Sequence, residues 1–152
     1  MILCFFLIAV TSCDNAKEKL KEKLSVSEFV IEQENPQVKL TIEYDTFEIG
    51  SDEIIVTVKN ITGEQNEAYG KTILVGAYPE HYIEIEMDGD WYQLGLKHNV
   101  VWNDFGAALR WGEEFHTTIQ LDIWDFEWIE GHYRIVMPIS GRFYSVEFEM
   151  IK

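Results

Sequence analysis

Four carboxylates, Glu84, Glu86, Asp88 and Asp90, alternate down the segment YIEIEMDGD. Successive side chains of a strand point to opposite faces, so Glu84, Glu86 and Asp88 share one face if the strand runs regularly that far. Hard oxygen ligands at that spacing could hold a calcium ion weakly, although the ordered Asp-rich calcium loop is missing. The favoured expectation is a solvated outer face ending in a turn. A second acidic set, Asp122, Asp125, Glu127 and Glu130, interleaves with Trp124, Phe126 and Trp128 in LDIWDFEWIEG. Rings beside acids can stack on sugars or cage a cation, and paired carboxylates are what glycoside hydrolysis needs. The favoured expectation is a connection between two strands whose rings cap one end of the fold while the acids stand in water.

Other chemistry is sparse. His81, His98, His116 and His132 include no pair at the helical spacing of a zinc protease and no His-x-His on a strand, so neither a metal site nor any other cofactor is expected. No G-x-S-x-G elbow and no glycine-rich phosphate loop occurs, and Ser140-Gly141 reads as a hairpin turn. No catalytic residue is therefore assigned. The candidate binding surface is aromatic: Trp102, Trp111, Trp124 and Trp128.

The elements that must hold these residues are strands. Hydrophobic residues form 47% of the 152-residue chain and aromatics 14%, enough for a core and rich in rings that pack on a pleated surface. The formal charge of −15 repels nucleic acid and anionic headgroups. From residue 38 the apolar period is two. VKLTIEY (38–44) sets Val38, Leu40, Ile42 and Tyr44 against Lys39, Thr41 and Glu43. Further strands are expected at 53–60, 71–78, 82–87, 91–96, 114–123, 132–138 and 143–151, with hairpins at Asp88-Gly89 and across ISGR. The piece KHNVVWNDFGAAL is the hardest to read, with a short strand expected at Val100 to Trp102. The fold class is all-β, an antiparallel sandwich of seven to nine strands.

WIEGHYRIV places Gly131 two residues before Tyr133 at the start of the penultimate strand. This resembles the tyrosine corner of immunoglobulin-like sandwiches, in which the phenol bonds back to nearby backbone. Tyr69-Gly70, EMDGDWYQL, the Gly112 turn before EFHTTIQLD and GHYRIV follow in an order similar to bacterial Ig-like domains of small secreted or lipid-anchored proteins. The resemblance spans about residues 54–152. It implies an Ig-like sandwich outside the cytoplasm, with no catalysis and no transferable binding site; Trp91 and Tyr92 are expected to pack.

The N-terminus resembles a bacterial lipoprotein signal. ILCFFLIAV (2–10) is too short to span a bilayer and suits a signal-peptide core. Val10, Thr11 and Ser12 are small enough for a peptidase groove and precede Cys13, the expected lipidation site. The run departs from the usual pattern in having no Lys or Arg ahead of it. The expected organisation is a signal peptide at 1–12, lipidated Cys13 with a charged, solvated spacer at 13–37, and the Ig-like domain at 38–152. The protein is expected on the extracytoplasmic face of the cell membrane, bound through its lipid anchor, as a monomer. Its expected role is non-enzymatic binding of an envelope protein or glycan, or structural support. Inhibition of extracellular proteases by the loop around 97–108 is the alternative, and a hydrolase using Asp125, Glu127 or Glu130 ranks last.

Overall fold

Alternation becomes burial most clearly in β4 (Glu53–Asn60), where Ile54, Val56 and Val58 are buried between exposed or half-exposed neighbours. The computed structural model describes residues 17–33, 37–63, 72–76, 81–98, 100 and 106–152. Antiparallel partners on either side, β2 (Val38–Ile42) and β9 (Glu114–Gln120), complete a three-stranded sheet in the order β2-β4-β9. The facing sheet is larger. Its spine is β6 (Tyr82–Met87), β10 (Gly131–Ile139) and β11 (Arg142–Ile151), flanked by β7 (Asp90–Gln93) and by the short strands β1 (Ser25–Val26) and β3 (Thr46–Glu48), in the order β1-β7-β6-β10-β11-β3. Two further short strands, β5 (Ile73–Val75) and β8 (Ala107–Leu109), pair with each other, and β5 touches the end of β10.

The inner faces meet in one core. Ile83, Ile85 and Met87 of β6, Tyr133, Ile135, Met137 and Ile139 of β10, and Phe148 and Met150 of β11 come from the larger sheet; Val38, Ile54, Val56, Val58 and Ile119 come from the smaller. This is the expected all-β, Ig-like sandwich of two sheets, antiparallel but for the parallel pair β3 with β11, and the described residues form eleven strands where seven to nine were expected. The seven strands of four residues or more all lie where alternation predicts them. The short strands β1, β3 and β8 escape a period-two reading because two or three residues carry no period.

Both hairpins have the backbone their sequences require. Asp88 and Gly89 take φ of 54° and 87°, and Ser140 and Gly141 take 50° and 79°. Two consecutive positive φ values match the right-handed twist of the flanking strands, which is why a glycine closes each turn.

Two expectations are corrected. Tyr44 is exposed rather than buried, because β2 ends at Ile42 and leaves it beside Phe47, edge-on at 6.2 Å. Within KHNVVWNDFGAAL the described strand lies at Ala107–Leu109, whereas Trp102 and most of the expected strand fall outside the described residues.

The second correction concerns the expected solvated spacer, whose described residues 17–33 are bound to the domain. Residues 17–21 are helical, and Leu20 and Leu24 pack on the core. Beyond them β1 pairs with β7, Ile31 bridges to Phe143, and the Glu32 amide donates to the Phe143 carbonyl at 2.8 Å. This arm crosses the outer face of the larger sheet. Phe29 wedges between Tyr82 and Phe143, 4.6 Å from each ring, and Val136 is fully buried beside them without joining the main core. Among the described residues no helix is long and apolar enough to cross a membrane.

Candidate binding surfaces

The end of the sandwich marked out by the aromatic and acidic connection is organised by Tyr133. Its phenol donates to the carbonyl of Ile129 at 2.8 Å, and its ring is stacked on Phe148 with centroids 5.5 Å apart. Burial pushes the phenol's pKa well up, so it stays protonated and keeps donating. This is the tyrosine-corner geometry, and it fixes the return of the chain into β10. Gly131 is a weaker participant. A Cβ there would meet Ile85 and Tyr133 at an ordinary 3.7 Å, so nothing at that position demands glycine.

The rings of the connection divide by depth. Trp124 is only 2% exposed, which removes it from the candidate binding surface. It is drawn inward by a bridge between Leu96 and Trp124 and by the Asp125 amide donating to the Gly95 carbonyl at 2.8 Å. Trp128 is half-buried: its indole N–H donates to the Leu121 carbonyl at 3.3 Å and its ring lies 5.4 Å from Tyr133. Asp125, Glu127 and Glu130 are exposed, as expected for the solvated edge of a cap. Together with residues 17–24 the connection encloses a cleft of about 750 Å³. Leu24, Phe126 and Trp128 line it, and Lys17, Lys23 and Lys152 stand at its rim.

The alternating carboxylates behave differently from the solvated face expected of them. Glu84 is completely buried, held by the Arg134 Nε at 2.6 Å. Arg134 also reaches the Ser27 hydroxyl of the arm at 3.3 Å and lies 4.3 Å over the Trp91 ring. Glu86 meets His132 Nδ1 at 2.6 Å, and Glu147 lies 3.2 Å from Nε2. Partial burial works against charge on His132, yet the hydrogen bond with Glu86 and the fields of Glu147, Glu149 and Glu86 outweigh it and raise its pKa. Asp88, at the turn, is bound by Lys21 of the N-terminal helix, whose ammonium holds the carboxyl below its usual range. Glu84, Glu86 and Asp88 are thus bound to Arg134, His132 and Lys21 respectively. A shared calcium ion would have to displace all three, and among the described residues no group of three or more His, Cys, Asp and Glu is placed to hold a metal.

The histidines are dispersed: His81 is buried near Trp124, His98 is exposed, His116 pairs with Thr57 at 2.9 Å, and His132 sits in the acidic face. At the opposite end of the sandwich from the cleft, Asn60 is buried and organises the turn that carries Trp111. Its amide donates to the Leu109 carbonyl at 2.8 Å, and its carbonyl oxygen accepts from the Thr62 amide at 2.8 Å. Gly112 closes that turn, donating its amide to the Asn60 carbonyl at 2.9 Å. Trp111 is left 41% exposed, and Ile61 and Leu74 are exposed at the same end. Of the three candidate tryptophans among the described residues, Trp111 is the accessible one, Trp128 is half-buried in the cleft wall and Trp124 is in the core; Trp102 lies outside the described residues.

The residues missed by sequence reasoning are Arg134, Ser27 and Phe29. The available signal was charge in register: Glu84 and Arg134 oppose each other directly across β6 and β10, and opposite charges at facing positions stabilise a sheet. Finding it requires knowing that those two strands are neighbours.

Comparison with known proteins agrees with this architecture. A family model described as a bacterial Ig-like domain matches residues 34–150. No curated protein matches. Among solved structures, the chain is similar to a β-glucosidase, EmGH1, from Erythrobacter marinus, with 14% identity over 74% of this chain and a TM-score of 0.38. It spans only 15% of that enzyme's length. With the sandwich, the tyrosine corner and a family match running from the end of the arm almost to the last residue, this chain belongs to the bacterial Ig-like domain family.

Proposed function

We propose that the protein is a non-catalytic Ig-like binding module, held on the extracytoplasmic face of the membrane by lipid on Cys13, and that it presents its Trp111 end to an envelope protein or glycan. The observation that supports this most is the exposure of Trp111, Ile61 and Leu74 together at one end of the sandwich, Trp111 being the one exposed tryptophan among the described residues. Tryptophan delivers a large contact area at low entropic cost, and exposed rings on rigid turns are what a recognition surface uses. The apolar run at 2–10 and the small residues just before Cys13 support the lipid anchor, and two or more acyl chains would hold it stably.

The test is capture of envelope components by the full, processed chain. Trp111→Ala should reduce what wild type retains at least tenfold, while folding stays intact. Equal retention by both would reject the Trp111 end as the contact. Mass spectrometry of the native product should show an acylated Cys13 at the new N-terminus; a bare thiol on an uncleaved chain would reject the anchor.

A further inference from the structure

The arm changes how far the domain can stand from its anchor. Had residues 13–37 been a free spacer, it could have reached about 80 Å from Cys13 to the start of β2. The structure instead secures residues 17–33 against the domain. Lys21 is bound to Asp88, Leu20 and Leu24 pack on the core, β1 pairs with β7 and Ile31 with Phe143. Only four residue steps separate Cys13 from Lys17, which is at most about 14 Å whatever their conformation.

Lys17 is also at a defined place on the molecule. It lies at the rim of the cleft end, with Ile49, Glu130 and Lys152. The ten-residue strand β11 runs from this end to the opposite one, about 30 Å away.

We infer that the cleft end of the sandwich is a membrane-contacting surface, its partner the lipid bilayer itself, and that the short tether fixes the domain upright with the Trp111 end pointing away. This rests on the lipid anchor at Cys13. The chemistry of the surface fits neutral lipid better than anionic lipid. Two of the lysines at this end are neutralised by acids, Lys21 by Glu18 and Asp88 and Lys152 by Glu130 at 3.0 Å, while Lys17 and Lys23 stand exposed at the rim. Asp125 and Glu127 are exposed at the same end, and the whole chain carries −15. The side chains free to enter the interface are Ile49 and Ile151, whose strands' ends are joined by the Ile49 amide donating to the Ile151 carbonyl at 2.7 Å, and the exposed Tyr44, an aromatic suited to headgroup depth.

The experiment uses the full chain, processed in the cell and reconstituted in phosphatidylcholine vesicles with an acceptor dye on some headgroups. With Cys13 acylated and Cys4 removed with the signal, an introduced cysteine is the one free thiol. A donor dye is placed through Glu127→Cys at the cleft end or Leu74→Cys at the far end, both at exposed positions. The Glu127→Cys probe should transfer energy to the headgroups several-fold more strongly than the Leu74→Cys probe. Inserting twenty Gly-Ser residues between Ala16 and Lys17 should bring the two close to equal. Vesicle-bound protein with equal transfer at both positions, or an asymmetry that survives the insertion, would overturn the short-tether orientation. Loss of that inference is distinguishable from loss of the anchor: if wild type binds vesicles no better than Cys13→Ser, the lipidation itself fails.

Discussion

Arg134 and Glu84 form an ion pair at 2.6 Å on what would otherwise be the outer, watered face of the larger sheet. The carboxylate is fully buried and the guanidinium nearly so, because the arm crosses above them with Ser27 and the Trp91 ring closes the side. Removing one partner strands a buried charge. Arg134→Met should therefore cost about 3–5 kcal/mol in urea unfolding, whereas Arg134→Met combined with Glu84→Leu should recover most of that loss. A single variant with near wild-type stability would show that water reaches Glu84.

The phenol of Tyr133 is the hydrogen bond that returns the chain into β10. Tyr133→Phe preserves the stacked ring but leaves the Ile129 carbonyl short of a donor, at about 1–2 kcal/mol. Gly131→Ala, in the same corner, should be neutral or stabilise by up to about 1 kcal/mol, since the site has room and alanine narrows the unfolded ensemble. Thermal unfolding of the two variants side by side separates a corner built on the hydroxyl from one built on the glycine.

His132 gives the stability a pH dependence. Glu86 of β6, Glu147 and Glu149 of β11 and the Trp91 ring of β7 are the groups that face it. Its folded pKa is raised above the ordinary value of about 6.5, so the protonated ring's contribution is complete below that value and is lost as pH rises through the higher folded pKa. His132→Gln should lower stability by less than about 1 kcal/mol near pH 5.5, in keeping with a partly exposed pair, and the deficit should shrink towards pH 9. A deficit that grows with pH would contradict the raised pKa.

Phe29 is the clasp of the arm. Phe29→Ala removes both ring contacts with Tyr82 and Phe143 and should cost about 1–2 kcal/mol, roughly half of what truncating a fully buried ring costs. Amide hydrogen exchange should quicken at Ser27 and Glu32, which donate to the Trp91 and Phe143 carbonyls at 2.7 and 2.8 Å. Exchange rates unchanged at those two amides would mean that backbone pairing alone seats the arm.

Alternation alone determined the strand body of this protein, because each residue on a half-buried strand chooses between core and water by its own side chain; Ile54, Val56 and Val58 needed no neighbour to declare their face. The two Gly-closed hairpins were legible for the same local reason, since only their backbone angles had to be met. Tyr133 was legible through a short-range hydrogen bond four residues long. Tertiary structure decided everything that depends on which strands are neighbours. It turned Glu84 from an apparent surface acid into a buried partner of Arg134, drew Trp124 into the core while leaving Trp111 outside, and laid the arm that follows Lys17 across the sheet. A charged residue's cost or benefit is fixed by the dielectric and the counter-charge around it, and those are supplied by segments fifty to a hundred residues away in the chain.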